Sequence, residues 1–276
     1  MRGASRVGWV MTDHPGWLTG SGTSLRVVRS GRSIWVLRCA SAGDGGTPLV
    51  TGADRLSGAG DAPASDVFDP AMLVGSEPAV AGLRRLGVVA RWRNPDLWDA
   101  LATAVLRQVI RAGQARALYQ RLCRAHGDRV NTRFGEAWLF PTSETVAALP
   151  DAEFARLGLT FKRQALRAAA HACLEFDAKW SPLPPAGLIS ELRSIPRVGP
   201  WTSGAAVADF TNDFSRYPFA DLAVRTWAHR LAPRQAWPES EPEFAHYWAE
   251  MAGDQLGAWT LLTLAWGNRH AHGVAL

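Results

Sequence analysis

Cysteine, lysine and long apolar runs are all scarce in this chain of 276 residues, and each shortage excludes a class of protein. The three cysteines, Cys39, Cys123 and Cys173, are too few and too far apart for a disulfide framework, a four-cysteine zinc site or an iron–sulfur cluster. No apolar run approaches the roughly 20 residues of a spanning helix, and the N-terminus lacks the pattern of a secretory signal. We therefore expect a cytoplasmic protein with no membrane association and no cofactor.

The positive charge is concentrated in one part of the chain. Lysine occurs only at Lys162 and Lys179, so arginine supplies 28 of the 30 basic residues behind the net charge of +5. Residues 84–133 hold eleven arginines against three acidic groups, whereas residues 1–83 are neutral and residues 134–276 are net acidic. Arginine favours bidentate phosphate contacts, so this stretch suggests a nucleic-acid partner. A solvated basic face is the alternative.

The apolar pattern changes from strand-like to helix-like along the chain. Residues 24–40 predict a β-hairpin around Ser30 and Gly31, and residues 43–66 predict loops with one short strand near 48–51. Helical spacing begins after Asn94. The predicted helices are 96–126 (two helices broken near 111–113), 143–149, 151–157, 162–176, 188–193, 201–210, 222–231, 242–251 and 255–266. The fold class is α+β and mostly α, with a small β-rich domain at 1–83 and a helical domain at 84–276.

Residues 188–210 predict a helix–hairpin–helix motif. Its turn reads Ile-Pro-Arg-Val-Gly-Pro at 195–200, in which Gly199 permits an unusual backbone conformation and Pro200 suits a first helical turn. The exposed amides at the start of the second helix would attract a DNA phosphate. An ordinary helix–turn–helix is the alternative.

The hairpin also carries a family resemblance. Ile-Pro-x-Val-Gly-Pro-Trp-Thr at 195–202, followed by Asp-Leu-Ala-Val-Arg at 221–225, resembles the helix–hairpin–helix DNA glycosylases. Within them it is most similar to the 3-methyladenine DNA glycosylase II, or AlkA-like, branch, from about residue 68 to residue 266. The resemblance implies a helical bundle that holds the hairpin, preceded by a small β-rich domain.

The resemblance implies roles for the hairpin residues. Those expected to contact DNA are Arg197, Val198, Gly199 and Thr202. A monovalent cation could bind at the carbonyls of Arg193, Ile195 and Arg197. Arg197 stands where the family usually has glycine, so it either strains the turn or adds a phosphate contact.

The resemblance assigns catalysis to Asp221. A carboxylate beside the flipped nucleotide can stabilise an oxocarbenium-like sugar and assist the attack of water. Asp221 could instead only cap the helix that starts at Leu222, and both roles are compatible. Trp201 stands where bifunctional relatives carry the lysine that forms a Schiff base, which implies an enzyme without lyase activity.

The same resemblance implies a base pocket. Trp201 and Trp266 would border it and attract cationic alkylated purines, with core packing as the alternative for each. Ala205 and Leu222 stand where this branch has aromatic residues, which predicts a roomier pocket.

The resemblance also places Gln108 and Val109 where a side chain enters the duplex and fills the gap left by the extruded base. An ordinary buried helix position is the alternative for Val109.

These expectations define a monofunctional DNA glycosylase that acts as a monomer on double-stranded DNA. It would flip and excise a damaged base, first of all an alkylated purine, and leave an abasic site. Two alternatives are open: a glycosylase for bulky or unusual bases in self-resistance, and a non-catalytic helix–hairpin–helix DNA-binding protein.

Overall fold

The computed structural model describes residues 7–20, 23–41 and 48–271. The strands of this part are β1 (Trp9–Val10), β2 (Leu18–Gly20), β3 (Thr23–Ser30), β4 (Ser33–Ser41), β5 (Pro48–Ser57), β6 (Ser65–Phe68), β7 (Val89–Trp92), β8 (Arg129–Thr132) and β9 (Gly135–Trp138). Its α-helices are α1 (Pro78–Arg84), α2 (Leu97–Arg107), α3 (Ala112–His126), α4 (Ser143–Ala148), α5 (Asp151–Arg156), α6 (Arg163–Trp180), α7 (Pro185–Leu192), α8 (Pro200–Thr211), α9 (Leu222–Leu231), α10 (Glu241–Ala252) and α11 (Leu256–Ala271). The predicted fold class, α+β and mostly helical with a β-rich N-terminal part, is confirmed.

The main sheet is antiparallel, with strand order β2–β3–β4–β5. It contains the predicted hairpin, in which β3 pairs with β4 around Gly31, whose φ of 56° favours glycine. The strand predicted near 48–51 is too short, since β5 continues to Ser57. It lies at the sheet edge, and its exposed end at residues 55–57 gives no apolar alternation for the sequence pattern to detect. Residues 43–47 of the predicted loop lie outside the described residues.

Helix α2 lies at the centre of the helical part. Every residue of α2 except Arg107 is buried, and the helix packs against α6 and α8. The predicted break before α3 is confirmed and lies at residues 108–111. The short elements α1, β6, β7, β8 and β9 were not predicted, because runs of four to seven residues carry little periodic signal.

A hydrophobic core is shared by the strands and the helices. Trp9 and Met11 pack in the same buried cluster as Leu101 of α2 and Val224 of α9. The domain boundary predicted between residues 83 and 84 falls at the end of α1, and β7 beyond it pairs with β1 before it. The division into two domains therefore stays a prediction. No helix in the described ranges combines the length and the apolar character needed to cross a membrane.

Arg91 of β7 carries its guanidinium into a buried cluster of charges. Its Nε and Nη2 donate to the two carboxylate oxygens of Asp13 at 3.0 and 3.1 Å. Nη2 also donates to Asp209 at 2.5 Å, and Nη1 donates to the side-chain oxygen of Asn212 at 2.5 Å. Burial is the largest single effect and raises the pKa of Asp13 and of Asp209, but the charge of Arg91, its hydrogen bonds and further basic or donor groups together lower the pKa of both. One side chain therefore joins the N-terminal segment, β7 and α8.

A second buried pair fixes the main sheet to α2. Arg26 of β3 donates to Asp99 at 2.7 Å, and Tyr119 of α3 donates to the other oxygen of Asp99 at 3.0 Å. His14 lies 3.7 Å from Asp99, and burial together with the charge of Arg26 lowers its pKa well below the usual range. His14 is therefore neutral and acts as a hydrogen-bonding group rather than as a third charge.

We predict that Arg91→Met destabilises the protein by about 3–5 kcal/mol at neutral pH, because two buried carboxylates lose their cation. In the native protein the lowered pKa values of Asp13 and Asp209 stabilise the fold above the usual aspartate pKa, and this contribution is lost as the pH falls. The loss in free energy of unfolding caused by Arg91→Met should therefore become smaller towards pH 4, where the unpaired carboxylates of the variant are protonated. Urea unfolding between pH 4 and pH 7 measures this.

Lys179→Met is the matched control, since its pair with Glu191 is largely exposed and should contribute less than about 1 kcal/mol. A deficit for Arg91→Met that stays constant with pH would contradict the role of the ion pairs.

Candidate active site

The hairpin between α7 and α8 has the predicted tight turn, with a different residue in the unusual conformation. The amide of Val198 donates to the carbonyl of Ile195 at 3.1 Å, which closes the turn. Positive φ occurs at Arg197, at 69°, whereas Gly199 has an ordinary φ of −88°. The unusual backbone conformation expected of Gly199 is therefore wrong, and its expected contact with DNA stays a prediction. Arg197 occupies the backbone conformation that favours glycine, and its side chain is exposed, while Val198 is buried.

Gln108 ties this hairpin to the end of α2. Its side-chain nitrogen donates to the hydroxyl of Thr202 at 2.7 Å and to the carbonyl of Arg197 at 3.2 Å. The ammonium of Lys162 donates to the carbonyl of Gln108. Three loops, residues 108–110, 158–162 and 193–199, are thereby fixed side by side, and we call them the three-loop surface.

Two of the three carbonyls expected to hold a cation already accept hydrogen bonds inside the protein. That of Ile195 accepts from Val198, and that of Arg197 accepts from Gln108. A carbonyl has a second lone pair, so the cation stays a prediction. Within the described ranges, no group of three His, Cys, Asp or Glu side chains is arranged to hold a metal ion.

The three-loop surface presents two large apolar side chains to solvent. Val109 is fully exposed and has a φ of 58°, a conformation that costs a β-branched residue about 1–2 kcal/mol. Phe161 is 98 % exposed in the neighbouring loop. Sequence reasoning identified Val109 but missed Phe161. The signal for Phe161 was a bulky aromatic residue in a short turn between two helices, where polar residues are usual.

Asp221 stands at the N-terminus of α9 and is half-buried. Its Oδ2 accepts a hydrogen bond of 2.9 Å from the hydroxyl of Tyr217. Burial and the nearby Asp221 charge raise the pKa of Tyr217, so this hydroxyl keeps its proton. Within the described residues, the carboxylate accepts no hydrogen bond from the first-turn amides of α9. The helix dipole still favours its negative charge, and the carboxylate is oriented by Tyr217 rather than used as a cap.

A cavity of about 330 Å³ opens beside Tyr217. Helices α3, α8, α9 and α11 surround it, and the N-terminal segment and β7 form its floor. Its aromatic wall consists of Phe214, Tyr217 and Trp227. The floor carries Asp13, Arg91 and Asp209 of the buried charge cluster. The described residues that line the cavity otherwise are Met11, Pro15, Arg107, Ala112, Gly113, Ala115, Arg116, Ala205, Ala223, Leu264, Gly267, Asn268 and Ala271.

The residues predicted to form the base pocket are only partly brought together at this cavity. Ala205 lines it, and its small side chain leaves room. Trp201 is half-buried against the core, Trp266 is buried and stacks on His270 at 5.0 Å, and Leu222 is 71 % exposed. These three are not among the described residues that line the cavity. Their roles in base binding therefore stay predictions.

Sequence reasoning missed all three residues of the aromatic wall, Phe214, Tyr217 and Trp227. Trp227 is the one whose place depends on a distant glycine. It lies one helical turn after Ala223 on α9, and both residues line the cavity. A Cβ atom on Gly267 of α11 would lie 2.4 Å from three atoms of the indole ring, so the absence of a side chain there lets Trp227 pack directly on α11. The helical spacing of residues 223 and 227 after Asp221 was the available signal.

Comparison of this architecture with solved structures shows the fold of DNA glycosylases. The chain is similar to MBOgg1, solved with a low-affinity DNA ligand, with a TM-score of 0.70 and 16 % identity over 98 % of this chain and 95 % of that one. It is similar to the 3-methyladenine DNA glycosylase of Archaeoglobus fulgidus, with a TM-score of 0.68 and 16 % identity over 99 % and 97 % of the two chains. The 8-oxoguanine glycosylase/lyase of Clostridium acetobutylicum has a TM-score of 0.68 and 13 % identity over 92 % and 89 %.

Sequence comparison gives a shorter match, also to a DNA glycosylase. A stretch of 82 residues is 33 % identical to the DNA-3-methyladenine glycosylase of Bacillus subtilis strain 168, which covers 30 % of this chain and 25 % of that protein. The match thus spans a quarter of the length of this curated relative. No family model matches the chain. The resemblance to helix–hairpin–helix DNA glycosylases is confirmed at the level of the fold.

We predict that Gly267→Ala destabilises the protein by about 1–3 kcal/mol, because the new methyl group overlaps the indole of Trp227. Gly113→Ala is the matched control, since it is a second helical glycine of the cavity and a Cβ there meets nothing within 4 Å. The control should be stabilised by about 0.5–1 kcal/mol. Thermal unfolding of both variants checks the opposite signs, and equal effects would contradict the packing of Trp227 on Gly267.

Proposed function

We propose that this chain is a monofunctional DNA glycosylase that extrudes a damaged base from double-stranded DNA and cleaves its N-glycosidic bond. The observation that carries the proposal is the hydrogen bond between Asp221 and Tyr217, because the tyrosine lines the cavity that would receive the base. The carboxylate is thereby held at the edge of an aromatic-walled cavity. A non-catalytic DNA-binding protein has no need of this arrangement.

Asp221 acts on the sugar rather than on the base. As the glycosidic bond breaks, positive charge develops on the deoxyribose, and a fixed carboxylate stabilises it. Tyr217 holds one carboxylate oxygen, which leaves the other for the sugar or for the incoming water. The carboxylate also lies at the N-terminal end of α9, towards which the positive end of the helix dipole points.

The three-loop surface supplies the DNA-binding face in this proposal. The start of α8 offers unpaired backbone amides to a phosphate, and Arg197 adds an exposed guanidinium beside them. Val109 enters the duplex as the base leaves, and Phe161 beside it gives a second apolar contact with the unstacked bases. The strained backbone of Val109 supports a functional reason for its conformation.

The proposed absence of lyase activity is supported by the position and contacts of the two lysines of the chain. Trp201 occupies the hairpin position of the Schiff-base residue. Lys162 is bound to the carbonyl of Gln108, and Lys179 is paired with Glu191. We infer that the product is an intact strand with an abasic site. The proposal has one copy of the chain act on DNA in the cytoplasm, which suits its three buried free thiols.

The proposed substrate is a damaged base, with an alkylated purine first. The cavity also favours the second candidate, a bulky or unusual base. Its lining has small residues on three helices, Gly113, Ala205 and Ala223, and its volume lies within the range of about 300–1,000 Å³ found for sites that hold drug-sized ligands.

We predict that Asp221→Asn lowers the single-turnover rate of base release by about 10²–10³ while DNA affinity changes little. The assay measures bases released from alkylated duplex DNA by mass spectrometry. The wild-type product should stay uncut until alkali is added, and borohydride should trap no covalent adduct. Asp254→Asn, an exposed carboxylate, is the matched control and should keep the full rate. Retention of more than half the rate by Asp221→Asn would refute the catalytic role.

We predict opposite effects of Val109→Gly on stability and activity. Stability should rise by about 1 kcal/mol, because glycine adopts the positive φ without strain. Base release from fully paired DNA should fall about tenfold, which corresponds to about 1.4 kcal/mol at the transition state. The same lesion placed opposite a missing base should be released at nearly the wild-type rate.

Val74→Gly replaces another exposed valine and is the control. It should change neither the rate of release from fully paired DNA nor the rate for the lesion opposite a missing base. An equal loss on both DNA substrates would exclude the proposed insertion of Val109.

A further inference from the structure

The charges around the cavity do not suit a cationic base. Three arginines and two aspartates line it, so the lining carries a net charge of +1. Both aspartates, Asp13 and Asp209, are bound by Arg91 and belong to the floor. No uncompensated carboxylate is therefore left in the lining to attract the positive charge of an alkylated purine cation.

Arg107 is the arginine of this cavity that differs from the other two in its contacts. Arg116 also lines it, but donates to the backbone carbonyl of Trp17 at 2.7 Å. Within the described part of the chain, the guanidinium of Arg107 has no hydrogen-bond or ion-pair partner, although the side chain is half-buried. A half-buried guanidinium with unused donors is available to a ligand in the cavity.

Arg107 and the proposed catalytic carboxylate of Asp221 are connected through Tyr217. Tyr217, which binds Asp221, lies in the same wall, and the charges of Asp221 and Arg107 act on its hydroxyl in opposite directions. Asp221 is thus held beside the cavity by Tyr217, whereas Arg107 lines the cavity itself. Arg107 also directly precedes Gln108 and Val109 of the three-loop surface.

This pair of charges matches the charge separation in the cleavage of a neutral base. The bond between C1′ and the base nitrogen breaks, and its electron pair stays on the base. The sugar becomes an oxocarbenium ion, to which water adds with loss of a proton, and the base anion takes up a proton. A guanidinium that donates to the base stabilises the anion. A cationic purine leaves as a neutral molecule and gains nothing from such a donor.

We propose that Arg107 determines specificity by donating hydrogen bonds to the acceptor edge of the extruded base, which selects neutral alkylated or bulky purines over cationic ones. This inference rests on the proposed glycosylase function. It assigns to this cavity a class of bases whose departure requires stabilisation of the base anion as well as of the sugar cation.

The test compares release of ethenoadenine, a neutral alkylated purine, with release of 7-methylguanine, a cation, from otherwise identical duplexes. Arg107→Met should slow single-turnover release of ethenoadenine about 10²-fold and leave release of 7-methylguanine within threefold. Arg107→Lys, which keeps the charge without the planar fork, should recover part of the ethenoadenine rate. Arg234→Met, an exposed arginine between α9 and α10, should match the wild type on both substrates.

The outcomes separate this inference from the proposed function. An equal loss on both bases, or a parallel loss of affinity for undamaged DNA, would show that Arg107 supports the helix end or contacts a phosphate, and the inference would be overturned while the glycosylase stands. Absence of release of any base by the wild-type protein, with Asp221→Asn indistinguishable from it, would overturn both. Urea unfolding of each variant confirms that the comparison is made between folded proteins.

Discussion

The guanidinium of Arg91 is the interaction on which the rest of this structure depends. It binds Asp13 before the main sheet, Asp209 in α8 and Asn212 at the end of that helix. Removal of any one partner would leave buried polar groups unpaired, so the segments that carry them hold one another in place. The same group forms the floor of the cavity, and α8, which it anchors, begins at the hairpin. The requirement to satisfy buried charge thereby fixes both the position of the hairpin and the depth of the cavity.

The basic stretch at residues 84–133 shows why net charge alone is a weak guide to function. Arg91 forms an ion pair with Asp209 in the buried cluster, and Arg93 forms one with Asp66. Arg116 and Arg121 donate to backbone carbonyls of other segments. Arg129 and Arg133 pair with acidic residues. Much of the excess thus serves internal contacts with groups outside residues 84–133. Most of these partners are distant in the chain, so composition cannot reveal the contacts. In the proposed function, contact with DNA depends instead on a few positions in the three-loop surface.

Local patterns predicted the elements well, and long-range packing accounts for what they missed. The hairpin at 24–40, the break after α2 and the helix–hairpin–helix could be predicted because periodicity, glycine and proline act within a few residues. Ala205 was found through a motif position and lines the cavity. Trp227 was missed because its place is created by Gly267, forty residues away, and Phe161 because its exposure depends on the neighbouring loop. The motif position of Arg197, where glycine is usual, predicted strain in the turn as one alternative, and its positive φ agrees with that alternative.

The spacing of residues 107–109 has a geometric consequence for the proposed function. Arg107 lines the cavity, Gln108 is bonded to the hairpin and Val109 points into solvent, in three consecutive positions. Two residues of chain span at most about 7 Å, so the backbone of Val109 lies at a nearly fixed distance from the cavity. In the proposed function, occupancy of the cavity and insertion of Val109 into the duplex would therefore be mechanically linked. A normal base that resists extrusion would hold Val109 out of the stack, and the protein would release that site and move to the next.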